Sequence, residues 1–387
     1  MNCSGIDVAT GHMVAIEFDE IIRSIVIEGA VAKDLGTVET APADGVLLAP
    51  GFVDIQVNGF LGIDFNNPQA SVADIGRALD AMLAAGVTRC LPTVVTGAPG
   101  DMVACLRNLR QAQVTLRWGK AIAGFHVEGP HIGAEDGPRG AHPLRWVRPP
   151  DPEEFHRWQE VTDGNIRLVT LSPHWPDAPA YIAAIVKSGV AVSIGHTGAS
   201  AAQIDAAVEA GATLSTHLGN GAHTVLRRHP NYIWDQLAED RLNASFIVDG
   251  IHLGRAFLRT ALRAKTVERT VLVTDASAPA GAAPGRYRLG EQEADLTDDG
   301  RVVLAGTDKL AGSALRMCQG VANLVHLGGL SLRDAVRTAT VNPARVIHLD
   351  GRTRGLVTGE RGDVIAFRPK GGTLEIESVW LEGERAA

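Results

Sequence analysis

Five side chains that can bind a metal ion or carry a proton close five separate apolar runs of this 387-residue chain. In Gly124-Phe125-His126-Val127-Glu128-Gly129-Pro130-His131 the run stops on a carboxylate, and a Gly-Pro turn follows at once. A strand that ends so abruptly leaves its last side chain at the rim of a sheet, where Glu128 is a fixed oxygen donor. The same ending recurs in Gly195-His196-Thr197, Thr216-His217-Leu218, Asp249-Gly250-Ile251-His252 and Thr274-Asp275-Ala276. A Glu with two His is a common catalytic zinc set and leaves a coordination position for water. Such a cation lowers the pKa of that water towards ~7. Asp275 can then take up the proton and return it to a leaving amine. Taken singly, each residue has a plainer reading. His196 or His217 can be a satisfied core or loop histidine, and Glu128 an acceptor for the amides of its turn. His252 can bond locally, and Asp275 can cap a helix before Ala276. Together, at equivalent strand ends, they favour one site on one rim.

The elements that must position them are legible as alternating patterns. Between Pro50 and about Leu349, eight apolar runs read as strands: Phe52–Val57, Val87–Val95, Ala121–Val127, Ile166–Leu171, Ala191–Ile194, Ala212–Thr216, Ala244–Val248 and Val271–Thr274. Helical stripes lie between them. Ile75, Leu79, Met82 and Leu83 follow a capping pair, Ser71 and Asp74. Asp101 is placed to cap a stripe of Met102, Cys105, Leu106 and Leu109. Ser200 and Gln203 open a helix with Ile204, Ala207 and Val208 on one face. Gly86 and Gly211 stand where a left-handed C-cap wants glycine. Eight such units predict an α/β fold, a (β/α)8 TIM barrel over residues 51–349, with its chemistry where strands end. An open doubly wound sheet ranks lower, because no Gly-x-Gly-x-x-Gly follows the first strand. Ala280–Ala305 reads as a hairpin insertion beside the rim. Short strands in residues 1–50 (Ile21–Ile27, Gly45–Ala49) and 350–387 (Asp363–Phe367, Thr373–Ile376) cannot bury a core separately. They are expected to pair in one small β-sandwich built from both chain termini.

Composition narrows the partners. Apolar residues make up 45% and charged ones 21%, an ordinary balance for a chain that buries a large core. The net charge of −8, with no long basic run, argues against nucleic acid or an anionic membrane. Cys3, Cys90, Cys105 and Cys318 form no Cys-x-x-Cys pair and read as reduced thiols. Neither a signal-peptide pattern nor an apolar run of about 18 residues is found, so a cytoplasmic protein is expected.

The first strand, Pro50-Gly51-Phe52-Val53-Asp54-Ile55-Gln56-Val57-Asn58-Gly59, supplies a further clue. With the motifs above, with Gly195–Ala199 and with Leu310-Ala311-Gly312-Ser313-Ala314-Leu315, it makes an ordered set spanning nearly the whole chain. In this the chain resembles the amidohydrolase superfamily, and within it the N-acetylglucosamine-6-phosphate deacetylase family. The superfamily's usual His-x-His pair is replaced here by Gln56-x-Asn58. Amides are weak zinc ligands, so one divalent ion per subunit is expected on Glu128, His196 and His217. Zn2+ is the first choice, with Fe2+, Co2+ and Mn2+ open.

The resemblance implies hydrolysis of the N-acetyl amide of an amino-sugar 6-phosphate to acetate and amine, in a homodimer. It implies Asp275 as the acid/base and His142, in Gly140-Ala141-His142-Pro143, as a contact near the scissile carbonyl. His142 can equally be a loop histidine beside Pro143. Sugar and phosphate contacts are implied for Asn220, Gly221, His252, Leu310, Ala311 and Gly312. Arg228, or the adjacent Arg227, matches an arginine that reaches a phosphate in the neighbouring subunit; a guanidinium suits that task, although an exposed basic loop would look the same. One loop departs from the family. Leu218-Gly219-Asn220-Gly221-Ala222-His223 keeps the Asn but lacks the family's aromatic and Met, so Gly219 and Gly221 are expected to admit a bulkier or differently posed acyl sugar. Two other readings stand: a related deacetylase, deaminase or cyclic amidase acting on a non-phosphorylated amide, and a catalytically silent barrel that binds a ligand or assembles.

Overall fold

The computed structural model describes residues 1–29 and 45–387; the strands and turns expected within residues 30–44 lie outside them. Eight parallel strands follow one another in sequence around a single sheet. Four match the expected runs residue for residue: Phe52–Val57, Val87–Val95, Ile166–Leu171 and Ala191–Ile194. The third is shorter than expected, Phe125–Glu128. A 3-10 turn at Gly119–Ala121 and the left-handed Gly124 (φ +149°) break the apolar run before it. The sixth shrinks to Leu214–Ser215. The seventh and eighth are Asn243–Ile247 and Thr270–Val273. The ring closes where Asp275 N–H donates to the Gln56 carbonyl (2.9 Å) and Asn58 N–H to that of Ala276 (2.6 Å).

Strand alternation sorts the apolar residues into two layers. Val53, Ile55, Leu91, Leu168, Leu214 and Val271 fill the inside of the barrel. Phe52, Val57, Val127, Val169 and Phe246 face the surrounding helices. Those helices start and stop as their chemistry dictates. The Ser71 side chain accepts from Asp74 N–H at the head of Val72–Ala84, and Ser200 with Gln203 closes a capping box before Ala201–Glu209. Gly86 (φ +88°) and Gly211 (φ +111°) take the left-handed conformation just past helix ends. Asp101 is not a cap. Its helix begins earlier, at Pro99, a residue suited to a first turn. Asp101 sits within that turn, where a carboxylate favours the positive helix end.

The terminal strands form one hydrogen-bonded sheet of seven. Leu47–Pro50 lies between Asn2–Asp7 and Val364–Lys370, so both ends of the chain share it. Phe18, on Met13–Phe18, and Trp380, on Thr373–Leu381, have three strands between them in that order, about 19 Å in a flat sheet. Their ring centroids are 5.7 Å apart. The sheet therefore rolls on itself around Val14, Ile16, Leu48 and Val364. The expected sandwich is this rolled sheet, two-layered in packing though continuous in hydrogen bonding. The insertion is three antiparallel strands, Gly285–Leu289, Gln292–Leu296 and Val302–Leu304, leaning over the barrel mouth through a Gln292 Nε2 bond to the Ala141 carbonyl (2.7 Å). No helix of the described residues is long and apolar enough to cross a membrane.

A buried ion pair joins the two parts. Arg89, on the second barrel strand, donates to Asp363 (2.8 Å) and to Glu382 (2.7 Å) beside the terminal sheet. Burial disfavours the Asp363 charge, but Arg89 and Arg352 hold its carboxyl below the usual range. Replacing Arg89 with Met strands a buried carboxylate and is expected to cost about 3 kcal/mol. Urea denaturation measures this; a loss below ~1 kcal/mol would mean that Arg352 alone compensates Asp363.

Candidate active site

One carboxylate oxygen is the focus of the barrel mouth. Glu128 ends the third strand, and its Oε1 lies 3.2 Å from His196 Nε2, 3.0 Å from His217 Nε2 and 2.9 Å from Gln56 Nε2. All are buried. His196 follows the fifth strand and His217 the sixth, each in left-handed backbone, at φ +50° and +29°. Asp275, after the eighth strand, is left-handed too, at φ +48°. Non-glycine residues pay of order 1–3 kcal/mol for such a conformation. Three such residues at one rim mark where the fold turns side chains inward at a cost.

The donor set can be tested against a cation. His196 donates Nδ1–H to the Pro138 carbonyl at 2.8 Å, the tautomer whose Nε2 presents a lone pair to Glu128. A lone pair and a carboxylate oxygen at 3.2 Å repel unless a cation or a proton stands between them. Ligand atoms of Glu128, His196 and His217 all lie within 4.8 Å of one another. One oxygen and two imidazole nitrogens, buried and convergent, fit a divalent ion. Burial opposes the charge on Glu128, yet the contacts with the His196 and His217 imidazoles hold its carboxyl well below the ordinary range. Burial works against a charged His217, and contact with Glu128 outweighs it, raising the pKa.

The other expected residues gather around this centre. Asp275 Oδ1 accepts from Asn58 Nδ2 (2.7 Å) and Gln56 Nε2 (3.3 Å). Burial, then the charge of Glu128, pushes its carboxyl up to about 6. It caps no helix. His142 Nε2 lies 3.3 Å from His196 Nε2, and its Nδ1 meets Thr96 Oγ1 at 2.8 Å. Burial, then His196, pushes the His142 imidazole down to about 3, keeping it neutral. His252 bonds locally through Nδ1 to Asp249 (2.6 Å) and still lines the cavity. Asn220, Gly221, Leu310, Ala311 and Gly312 line the same cavity of about 210 Å³. Asn220 Nδ2 is buried there with no hydrogen-bond partner among the described residues.

Arg227 and Arg228 are exposed and outside the cavity lining. Of the basic residues, that lining holds Arg288 instead, on the insertion. The glycines of the altered loop do not open space. A Cβ at Gly219 would stand 2.7 Å from Phe257, and one at Gly221 2.7 Å from His196. Phe257 and Leu253, reaching in from beyond the loop, occupy the room beside Gly219.

Gln56 and Asn58, read from sequence only as missing ligands, turn out to hold both carboxylates. Their position at the end of the first strand was the available signal. Thr96 and the Pro138 carbonyl carried none, because neither residue type nor spacing predicts what a loop will place against a histidine.

Known proteins resemble the chain over most of its length. The amidohydrolase family model matches residues 47–385. The chain is 34% identical to N-acetylglucosamine-6-phosphate deacetylase of Bos taurus, covering 89% of this chain and 85% of that protein. It is 30% identical to N-acetylgalactosamine-6-phosphate deacetylase of Escherichia coli O157:H7, covering 90% of each. A mutant N-acetyl-D-glucosamine-6-phosphate deacetylase of Mycobacterium smegmatis, solved with N-acetyl-D-glucosamine-6-phosphate, superposes with a TM-score of 0.85 at 32% identity, over 98% of this chain and 97% of that one. The chain belongs to the amidohydrolase family and, within it, to the N-acetylglucosamine-6-phosphate deacetylases.

Proposed function

We propose that this protein hydrolyses the N-acetyl amide of N-acetylglucosamine 6-phosphate to glucosamine 6-phosphate and acetate. The observation that carries the reading is the meeting of Glu128, His196 and His217 with the carboxyl of Asp275 in one cavity. A divalent cation, for which Zn2+ suits the oxygen–nitrogen donor set, supplies Lewis acidity and a water of lowered pKa. Gln56 and Asn58, already engaged by Glu128 and Asp275, favour a single ion.

The chain's own groups do the rest. Neutral His142 polarises the acetamide oxygen, with Thr96 fixing its ring. Asp275, aimed by Asn58, accepts the proton of the attacking water and passes it to the nitrogen. Without that proton the amine cannot leave. His252, Asn220, the Gly221 amide and Leu310–Gly312 hold the sugar and its phosphate. Arg228, or Arg227, reaches the phosphate of the neighbouring subunit in a homodimer; their exposed position outside this subunit's cavity supports that reading. The galactosamine relative favours a second reading, in which the sugar has the galacto configuration.

An acetate-release screen over N-acetylated hexosamines, with and without 6-phosphate, decides the substrate; release from free amides alone would overturn the phosphate assignment. Asp275→Asn is expected to retain one equivalent of metal by elemental analysis and to lose about 10³-fold in kcat. Full turnover in that variant would remove Asp275 from proton transfer. Arg228→Met, with Arg227→Met beside it, is expected to raise KM for the phosphorylated substrate about tenfold or more while leaving sedimentation as a dimer. A monomer in the unaltered protein would refute the shared site.

A further inference from the structure

The cavity divides by the strands that supply its walls. Asn220, Gly221, His252 and Leu310–Gly312, which follow the sixth, seventh and eighth strands, line one side. Pro68, Val94, Ala98, Met102 and Cys105, which follow or end the first and second strands, line the other. The deacetylase reading, on which this inference rests, uses the first side for the sugar phosphate. It leaves the second side without an occupant.

The planarity of the amide selects one. The nitrogen must face Asp275 to receive its proton, and the oxygen must face the ligand cluster and His142. The remaining substituent of the carbonyl carbon, the acyl chain, then departs at about 120° from both in the amide plane. His142 leans on Thr96, itself part of the second side, at 2.8 Å. In a trans amide the acyl carbon and the sugar carbon point away from each other across the C–N bond, so with the sugar on the first side the acyl chain runs past Thr96 towards the second strand and the helix Pro99–Thr115. The wall it meets presents Val94, Met102 and Cys105, all buried, beside the polar Asn66 and Asp101. Burial pushes the Cys105 thiol up to about 12, so it is a neutral surface and not a nucleophile. A single methyl group reaches only the nearest of these residues. Nor do the glycines of the altered loop create the extra room, since a Cβ at either would strike protein atoms.

We propose that this second side is an acyl pocket that accepts N-acyl groups of three or four carbons, propanoyl and butanoyl, on the same amino-sugar phosphate. The reaction is unchanged. The oxygen of water bonds to the acyl carbon, the C–N bond breaks, and the water's proton passes through Asp275 to the nitrogen. The products are the carboxylate of equal chain length and the protonated amine, whose nitrogen ends with both protons of the water.

The test compares metal-loaded protein on the N-acetyl, N-propanoyl and N-butanoyl derivatives of glucosamine 6-phosphate, reading free amine. The butanoyl substrate is expected within about tenfold of acetyl in kcat/KM, and a plugged pocket should lower the butanoyl-to-acetyl ratio at least about tenfold. Cys105→Phe is one plug. Ala98→Leu, at the partly exposed rim, is a second that disturbs the core less. Calorimetry on Asp275→Asn adds a readout free of turnover, with roughly fourfold tighter binding expected per added methylene. If acetyl is hydrolysed but butanoyl falls more than ~100-fold and binds no tighter, the acyl pocket is wrong and the deacetylase reading survives. Plugs that lower both substrates equally would overturn the pocket as well. If none of the three substrates reacts, the deacetylase reading itself fails and takes the pocket with it.

Discussion

Burying a carboxylate with two imidazole nitrogens facing it is the constraint on which the rest depends. Glu128 is almost wholly withdrawn from water, and a bare charge there would be driven to neutralise. The barrel answers with nitrogens from three other strand ends: His196, His217 and the amide of Gln56. The His196 tautomer, set by the Pro138 carbonyl, directs a further lone pair into the same space. Such a cluster is electrostatically incomplete by itself. Positive charge resolves it, which is why the fit to a divalent ion follows from hydrogen bonding alone.

Holding that cluster has a conformational cost, and the surrounding fold bears it. His196, His217 and Asp275 each adopt left-handed backbone directly beyond a strand. In an open loop a residue in that state would relax. Here the next strand fixes it: Gly195 and Thr216 donate to carbonyls of the neighbouring strands, and Leu218 donates to Ser245. Dense packing on both sides of the barrel wall supplies the rigidity. Geometry at the rim is thus a product of burial far from it.

Much of this was legible in the chain. A carboxylate or histidine directly after an apolar run is a local signal, and Glu128, His196, His217 and Asp275 each carried it. Strands with β-branched runs and abrupt ends, such as Val87–Val95 and Ile166–Leu171, were readable to the residue. Elements governed by tertiary contact were not. The rolling of the terminal sheet depends on Phe18 meeting Trp380 from distant parts of the chain. The third strand begins late because a glycine conformation, invisible in periodicity, interrupts it. Gly219 looked like missing bulk, yet Phe257, almost forty positions away, supplies it. Side chains that act on other side chains across the barrel, as Thr96 does on His142, have no signature in one sequence.

The barrel's closing bonds carry a consequence for how the protein fails. Asp275 N–H and Asn58 N–H belong to the two backbone hydrogen bonds that stitch the last strand to the first, and the same two residues supply a carboxyl of the cavity and the amide that donates to it. Any breathing of this seam separates them. Local opening at low free energy is ordinary in folded proteins. Heat or mild denaturant should therefore silence the chemistry while most of the helical signal persists.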